Sequence, residues 1–549
     1  MSQPTEMSGA HLSQRQKIEI YGAILLAMFL FALDQTVVGT ALPVILTDLK
    51  GNELYTWVVT IYLLTATISG PIYGKLSDIF GRRPIFLWAV TLFLIASVLS
   101  GLSQEMWQLI LFRGLQGLGG GAVFPVALAV VADLFTPVER GKYLGAFGAV
   151  FGLSSLLGPG IGGLITDTVG WNWIFFVNVP IGLVSLIICW RLLPSRRDRG
   201  KAGDIDYLGA VVFAAAIAPF LVGLTNKAGT HLVNNVKVAN DWTDPSVGGL
   251  ILLGLALGAV FIWIESRVKD PIVPLSLFRI RGFTVSVTAM FLAAFGFFGA
   301  VIFLPRWFQA VAGASATESG YNLLPLLLGL IISATVSGQI VARTHHYKAL
   351  IFGSLLLLAA GLFLMTNLRT DTDRPILWLW MAITGVGIGP SFAVFTLIVQ
   401  NEVPMERIGT ATSSLTFFQQ IGGTVGLTIA GVLFGSRFTE ELPTRLVSAG
   451  VPQQFVGAFA AGGAGSGGVD LAGTGDLGAR ILAAVPAEQK AFVEPLIPGI
   501  VRAVHDAVSI AIASTFWVGV AGAIVAALAV LLLREKPMRE GFEGAPAMA

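Results

Sequence analysis

Long apolar runs recur along this sequence, and no other feature constrains its fold as strongly. A helix needs about 20 predominantly apolar residues to cross the hydrocarbon core of a bilayer. Only 12% of the 549 residues are charged, about half of the ~25% usual for a soluble domain, so the composition excludes a soluble multidomain protein. Fourteen apolar runs predict membrane spans at roughly 20–43, 55–74, 84–102, 107–132, 143–166, 172–190, 207–225, 247–266, 283–304, 319–342, 349–367, 376–399, 409–436 and 510–533.

The distribution of Lys and Arg predicts how these spans are oriented. If the N-terminus lies in the cytoplasm, the cytoplasmic segments hold 22 of these residues and the short external loops hold six. Because positively charged loops stay on the cytoplasmic side, we expect a multi-pass cell-membrane protein with both termini cytoplasmic. The net charge of +2 gives no reason to expect a nucleic-acid partner, and a single cysteine cannot form an internal disulfide or a structural zinc cage.

The even number of spans predicts an all-α membrane protein with 14 transmembrane helices, arranged as two six-helix bundles plus an inserted helix pair. The segments 74–84 and 338–347 are both short basic turns that follow a glycine, and such internal repeats are typical of transporters. Within a long external link at 437–509, the segment 476–509 can form amphipathic helices that lie on the outer leaflet or cover the external mouth; the alternative is a plain linker. The predicted organisation is a cytoplasmic N-terminus at 1–19, an N-terminal bundle at 20–193, a linker with the two extra helices at 194–282, a C-terminal bundle at 283–534 with a long external link at 437–509, and a cytoplasmic tail at 535–549.

Two ionisable side chains, Asp34 and Arg113, lie deep within the predicted spans. A charge at the centre of a span costs about 2.5–3.5 kcal/mol on insertion scales, so such a residue faces the protein interior or water. Burial favours the protonated form of a carboxyl group and a nearby arginine favours the ionised form, so an aspartate under both influences can bind and release a proton. We favour a proton site at Asp34; the alternatives are a structural ion pair between the two residues and a pure substrate-binding role.

Two glycine-rich spans carry further signals. Arg113, Gln116 and Gly117 share one helical face. In the fifth predicted span, Pro159 bends the helix and the glycines around it lower the cost of flexing. The GxGxxG spacing in that span does not predict dinucleotide binding, because no strand precedes it. No Walker motif occurs, and the histidines lack nucleophile or metal-ligand spacing, so we expect no ATP site, no enzyme activity and no metal site.

The second half of the chain has no deep acid, but its spans carry amides beside phenylalanines. An apolar, aromatic wall with a few polar groups suits a lipophilic ligand. Most of these phenylalanines pack or face lipid, whereas a mid-span amide such as Gln419 needs a partner. The predicted substrate contacts from both halves are Asp34, Gln116, Gln309, Asn322, Phe417, Gln419 and Gln420.

These motifs together resemble the major facilitator superfamily, in particular its branch of 14-span drug:proton antiporters. The resemblance is dense over the first six spans, and in the second half it is carried mainly by the layout and by 419–423. The matching stretches of the first half are 33–43, 74–83, 113–121, 152–163 and 171–180.

The resemblance implies alternating access to a cavity between the two bundles, with Asp34 as the protonatable carboxylate and Arg113 as the residue that tunes it. It also implies a cytoplasmic latch that stabilises the outward-open state. The corresponding loop of the second half has Ala342 where Asp78 stands, so the latch is expected to be one-sided. The implied latch residues are Gly74, Asp78, Gly81, Arg82 and Arg83. The implied hinge residues are Gly158, Pro159, Gly160, Gly162 and Gly163.

The function that we predict is proton-coupled export of lipophilic, cationic drugs or dyes. The expected partners are protons, a small lipophilic substrate and the lipid bilayer; no cofactor is expected, since the proton gradient drives transport. We expect a monomer in a bacterial inner membrane. One alternative is a lipid or glycolipid exporter of the same fold, and another is a non-transporting membrane sensor or scaffold.

Overall fold

The helical membrane fold expected from the sequence is confirmed. A computed structural model describes residues 12–49, 55–194, 206–227, 230–233, 236–404, 407–452, 456, 477–484, 490 and 493–536. Their α-helices are α1 (Gln14–Asp48), α2 (Tyr55–Phe80), α3 (Arg82–Gly101), α4 (Met106–Leu134), α5 (Pro137–Thr168), α6 (Trp173–Phe176), α7 (Asn178–Leu192), α8 (Tyr207–Lys227), α9 (Leu250–Glu265), α10 (Arg281–Ala310), α11 (Ala316–Asn322), α12 (Leu324–Thr344), α13 (Lys348–Met365), α14 (Arg374–Glu402), α15 (Ile408–Ser448), α16 (Leu477–Ala484) and α17 (Ile497–Leu531).

Thirteen helical segments within the described ranges are long and apolar enough to cross a membrane. They agree with thirteen of the fourteen predicted spans. The remaining prediction, 143–166, falls within α5, a continuous helix of 32 residues that is long enough to cross a bilayer at about 1.5 Å per residue. Local sequence fixes where α5 begins, because Thr136 and Glu139 form a capping box and Pro137 occupies the first turn.

Two helices extend into the segment that the sequence predicted as a long external link. The predicted link 437–509 begins as helix, since α15 continues to Ser448, and it ends as helix, since α17 begins at Ile497. At 41 residues, α15 is about 60 Å long, twice the ~30 Å of a hydrocarbon core. The extension keeps an apolar stripe with its members four residues apart, Phe438, Leu442 and Leu446, all of them buried. This stripe belongs to the same apolar core as the start of α17, so packing sustains both helices beyond the spans.

A short β-hairpin is a departure from the all-helical expectation. Strands β1 (Thr230–Val233) and β2 (Val236–Ala239) pair antiparallel between α8 and α9, in the segment that separates the spans predicted at 207–225 and 247–266. A second difference is a break in the span predicted at 172–190. There α6 ends at Phe176 and α7 begins at Asn178.

The helices pack as two groups with a third pair between them. In the first group, α1 packs on α5 and α7, and α4 packs on α2 and α3. In the second, α12 and α13 pack on α14, and α10 packs on α15 and α17. The two groups meet where α2 contacts α15 and where α5 contacts α12, while α8 and α9 pack on each other and α8 also contacts α2 and α15. We call the side at which α1 begins and α17 ends the terminal face.

Candidate functional site

The carboxylate of Asp34 lies within α1 at the centre of a buried polar network. Asp34 is 2% exposed and Arg113, on α4, is 1% exposed. Arg113 Nη1 donates to Asp34 Oδ2 at 2.5 Å, and Gln116 Nε2 donates to Asp34 Oδ1 at 2.9 Å. The structure therefore brings together the two deep charges and the amide that the sequence placed on one helical face.

The guanidinium of Arg113 is held from several sides. It donates to Gln116 Oε1 at 2.8 Å, and it stacks over the ring of Tyr62 with 4.0 Å between the guanidinium carbon and the ring centroid. Close packing of α4 on α2 brings Tyr62 this near. A Cβ at Gly117 would lie 2.1 Å from Thr65 Oγ1 and 2.3 Å from the Tyr62 carbonyl oxygen, so glycine is required for the two helices to approach.

Asn178 is a member of the network that the sequence did not single out as a site residue. Its Nδ2 donates to Asp34 Oδ1 at 3.1 Å and to Ser97 Oγ at 3.0 Å, and the residue is 1% exposed. Asn178 is the first residue of α7, directly after the break that follows α6. The sequence did contain a sign of this role, because Asn178 is an amide within an otherwise apolar run and a buried amide must find hydrogen-bond partners.

Donors from three side chains thus converge on one carboxylate inside the membrane-spanning region. An arrangement of this kind stabilises negative charge through the ion pair and the hydrogen bonds together. In this conformation the contacts of α1, α4 and α7 keep the carboxylate of Asp34 buried. Chemically, the site suits exchange of positive charge rather than bond making.

Two predicted substrate contacts lie at the junction of the bundles and the inserted pair. Gln420 Oε1, on α15, accepts a hydrogen bond from Thr67 Oγ1, on α2, at 2.8 Å. Phe417, one turn away, is buried, and its ring centroid lies 5.1 Å from that of Phe213 on α8. The side chain of Gln419, between them in sequence, is half-buried. Phe417 and Gln420 therefore lie at the contact of α2, α8 and α15.

Asn322 and Gln309, the other predicted contacts, belong to the second bundle and are not members of the Asp34 network. The amide of Asn322 is engaged at both ends, since Nδ2 donates to the Glu318 carbonyl at 2.9 Å and Oδ1 accepts from Trp378 Nε1 at 3.0 Å. Gln309 is half-buried one residue before the end of α10. Asn322 therefore stabilises its own bundle in this conformation.

The predicted latch residue Asp78 joins the two bundles at the terminal face. Its Oδ1 accepts from the backbone N–H of Gly409 at 3.0 Å, and its Oδ2 accepts from the backbone N–H of Thr410 at 2.7 Å. Both donors belong to the first turn of α15, where an anion is favoured by unpaired N–H groups and by the helix dipole. A Cβ at Gly74 would lie 2.1 Å from Ser413 Oγ, so α2 and α15 are also in close steric contact here.

The basic latch residues lie on the first bundle. Arg82 pairs with Asp78, and Arg82 Nε donates to Asp133 Oδ2 at 3.0 Å. Arg83 donates to the backbone carbonyl of Trp190, at the end of α7. Gly81 has φ of +91°, a conformation that favours glycine, and it turns the chain from α2 into α3. The arginines thus hold the loop on its own bundle, while Asp78 reaches across to the other.

The predicted hinge lies inside α5, whose backbone is helical through Pro159. Gly158 packs tightly, since a Cβ there would lie 2.0 Å from Thr36 Oγ1 of α1. A Cβ at Gly160 or Gly163 would meet no atom within 4 Å, and Gly162 is buried. Close packing therefore accounts for Gly158, whereas packing does not require glycine at Gly160 or Gly163.

Two packed helical bundles, the first of which encloses a buried charge network, define a polytopic membrane protein of transporter type. The chain belongs to the major facilitator superfamily, whose family model matches residues 24–427.

Named relatives include two bacterial proteins. The chain is 37% identical over 434 residues to the multidrug transporter protein MdtP of Bacillus subtilis, which covers 79% of this chain and 78% of the relative. It is 32% identical over 432 residues to the tetracenomycin C resistance and export protein of Streptomyces glaucescens, covering 78% of each chain.

A solved structure shows the same fold. The proton:xylose symporter XylE superimposes on this chain with a TM-score of 0.58 at 15% identity, covering 94% of this chain and 95% of the symporter.

Proposed function

We propose that this chain is a proton-coupled exporter of lipophilic, cationic compounds that works by alternating access. The observation that carries the proposal is the convergence of Arg113, Gln116 and Asn178 on the buried carboxylate of Asp34. A buried carboxylate on a moving bundle can bind either a proton or a cation, and two ligands that compete for one group are exchanged rather than carried together.

The names of the relatives support the choice of substrate class. One is named a multidrug transporter and another a resistance and export protein. The aromatic and amide side chains at the junction of α2, α8 and α15 offer an apolar surface with a few polar groups, which suits a lipophilic compound. With one deep acid in this site, we expect monovalent cations to be handled better than dications.

The transport cycle that we propose takes the terminal face as cytoplasmic, in agreement with the Lys and Arg distribution. The contact of Asp78 with α15 closes that face in the conformation described here. When it opens, a compound enters from the cytoplasm or the inner leaflet and binds near ionised Asp34. The compound leaves on the external side, and a proton from outside neutralises Asp34 for the return. The proton gradient is the only energy source, and we expect a monomer in a bacterial inner membrane.

The test is dye movement in proteoliposomes under an imposed pH gradient. We expect the wild-type protein to move a lipophilic cationic dye and Asp34→Asn to lose gradient-dependent movement while remaining folded. Asp167→Asn is the matched control, because Asp167 is an exposed acid at the end of α5 and should transport as the wild type does. Full activity of Asp34→Asn would overturn the proposal.

Two other outcomes correspond to the alternative functions. Absence of dye movement with transfer of labelled lipid between leaflets would indicate a lipid or glycolipid exporter. Absence of any flux, together with a bound partner protein, would indicate a sensor or scaffold.

A further inference from the structure

Two buried acids lie at the terminal-face end of the inserted helices. They are far along the chain from Asp34. Glu265 is the last residue of α9, and Asp206 immediately precedes α8. The two residues are 3% and 8% exposed. They are contributed by the two helices of the inserted pair, which pack on each other.

Each of the two carboxylates has one bonded and one unbonded oxygen. Asp206 Oδ1 accepts from the backbone N–H of Gly209 at 2.7 Å, and Glu265 Oε1 accepts from the backbone N–H of Ile272 at 3.1 Å. Asp206 Oδ2 and Glu265 Oε2 are buried and have no hydrogen-bond partner among the residues that the structure describes. A buried ionised oxygen without a partner is costly, because it loses its hydration and gains nothing in exchange.

The charged groups around the pair do not compensate for two negative charges. Asp206 and Lys75 both interact electrostatically with Glu265. Lys75, on α2, is shared with Asp270, since its Nζ lies 3.8 Å from Asp270 Oδ1.

The remaining basic groups on the segment after α9 are directed elsewhere. The guanidinium of Arg267 stacks over the Trp263 ring at 4.3 Å, and Lys269 is exposed. Among the residues that the structure describes, the two buried carboxylates therefore share a single lysine, Lys75, with Asp270.

We propose that Asp206 and Glu265 form a proton-binding site that holds one proton between them, separate from Asp34. Like charges at close range cannot both be accommodated in a desolvated site, so one acid stays protonated when the other is ionised. The bound proton gives one of the two unbonded oxygens a hydrogen to donate. It is exchanged with water at the terminal face, and no other bond forms or breaks.

The location gives this site a consequence beyond the inserted pair. Lys75 lies three residues before Asp78 on the same helix, so the ionisation of the pair acts on the end of α2 that carries the latch. Protonation of this site at the terminal face would therefore affect the contact between the bundles. This inference does not depend on which compound is transported, or on whether Asp34 binds a proton.

The test combines infrared spectroscopy with thermal unfolding of the full-length protein in lipid nanodiscs over a pH series. The wild type should show the C=O stretch of a protonated carboxylic acid, and Glu265→Gln should lose that band. Because the folded site holds its proton more tightly than the unfolded chain, the unfolding temperature of the wild type should fall as the pH rises above ~4.3, the ordinary value for Glu. Glu265→Gln keeps an oxygen for Ile272 but cannot ionise, so its fall should be smaller.

Asp206→Asn provides a second variant should Glu265→Gln not fold. Its amide keeps an acceptor for Gly209 and offers a donor to Glu265, so the shared proton and its infrared band should again be lost. Asp270→Asn is the control, because it removes a nearby acid that is not one of the pair, and it should retain the band. Wild-type pH dependence and an unchanged band in both Glu265→Gln and Asp206→Asn would overturn the proposal.

Discussion

Asp78 accepts two hydrogen bonds from Thr410, one from the backbone N–H and one from the hydroxyl group, each at 2.7 Å. These residues lie 332 positions apart in the chain, and they belong to different bundles. An acid in the last turn of α2, in the first bundle, therefore caps the first turn of α15 in the second. The contact joins the two bundles at the terminal face, and in the transport cycle that we propose it breaks each time that face opens.

Neutralising this acid should open the terminal face. Asp78→Asn removes charge-assisted hydrogen bonds, each worth about 1.5–3 kcal/mol, so we expect an increase of roughly tenfold or more in the fraction of open molecules. The measurement is maleimide labelling of a cysteine placed at Ser413, which is 1% exposed, with the buried native Cys189 replaced by serine. Thr410→Val removes only the hydroxyl bond and should give an intermediate rate.

A matched pair of glycine substitutions checks the same contact by steric means. A Cβ at Gly409 would lie 2.5 Å from both Asp78 Oδ1 and Arg82 Nη1, whereas a Cβ at Gly431, on the same helix, would meet no atom within 4 Å. The cysteine placed at position 413 should react with maleimide as fast in Gly409→Ala as in Asp78→Asn. In Gly431→Ala it should react as slowly as in the protein without a further substitution. Equal labelling of all these variants would contradict a latch at this position.

The hinge in α5 can be separated from packing by two alanine substitutions. Gly158→Ala would collide with Thr36, so we expect a lower unfolding temperature. Gly160→Ala enters open space, and alanine favours helix over glycine by about 1 kcal/mol, so this variant should fold normally and export more slowly. Export rates in proteoliposomes and unfolding temperatures, measured for both variants, would separate the effect of packing from that of flexing. A wild-type export rate for Gly160→Ala would argue against flexing at this position.

Loss of the Asn178 side chain should slow export. The amide donates to Asp34 at 3.1 Å and to Ser97 at 3.0 Å, so Asn178→Ala removes one of the three donors that hold the buried carboxylate. A hydrogen bond to a charged group is worth about 1.5–3 kcal/mol, so we expect gradient-dependent dye movement in proteoliposomes to fall by roughly tenfold.

Asn172→Ala is the control for this prediction. Its Nδ2 donates to the carbonyl of Gly101 at 2.6 Å and does not contact the Asp34 carboxylate. The export rate of this variant should match the wild type, and a wild-type rate in Asn178→Ala would count against the role that we give the amide.

The segment after α17 is tied to the α12–α13 turn by Glu535, which accepts from the backbone N–H groups of Tyr347 and Lys348 at 2.9 and 2.7 Å. Burial raises the pKa of Glu535, but these hydrogen bonds and the neighbouring His346 outweigh it and hold the pKa of Glu535 below its ordinary value. Its stabilising effect is therefore complete above ~4.3, the ordinary value for Glu, and is lost as the pH falls through the lowered pKa.

Glu535→Gln should accordingly unfold at a lower temperature than the wild type at neutral pH, and the difference should shrink in acid. Glu440→Gln removes an exposed acid that pairs only locally with Arg437 on the same helix, so it should leave the unfolding temperature unchanged. A constant difference between Glu535→Gln and the wild type at every pH would contradict the pH argument.

The charge pair at the centre of the fold could be anticipated from the sequence, and its surroundings could not. Asp34 and Arg113 are opposite charges in apolar runs, where each needs a partner. Asn178 was missed because its place depends on the break before α7, and nothing in the local pattern predicts that break. The partner of Asp78 was missed for a different reason, because Gly409 and Thr410 are brought to it only by the packing of the two bundles.

The lengths of α15 and α17 also could not be predicted from a hydropathy pattern. A span ends where the apolar run ends, but α15 and α17 continue because Phe438 and Leu442 find a buried apolar environment together with the start of α17. Tertiary contacts sustain these turns, and a count of apolar residues along the chain does not detect them.

The measurement that tests the central claim most directly is proton release on substrate binding. Purified protein in weakly buffered detergent solution would be mixed with tetraphenylphosphonium over a pH series, and the pH change followed with a soluble indicator. If one carboxylate serves both ligands, the wild type releases up to one proton per bound cation, and Asp34→Asn releases none. Equal proton release by the two proteins would contradict the assignment of Asp34 as the shared site.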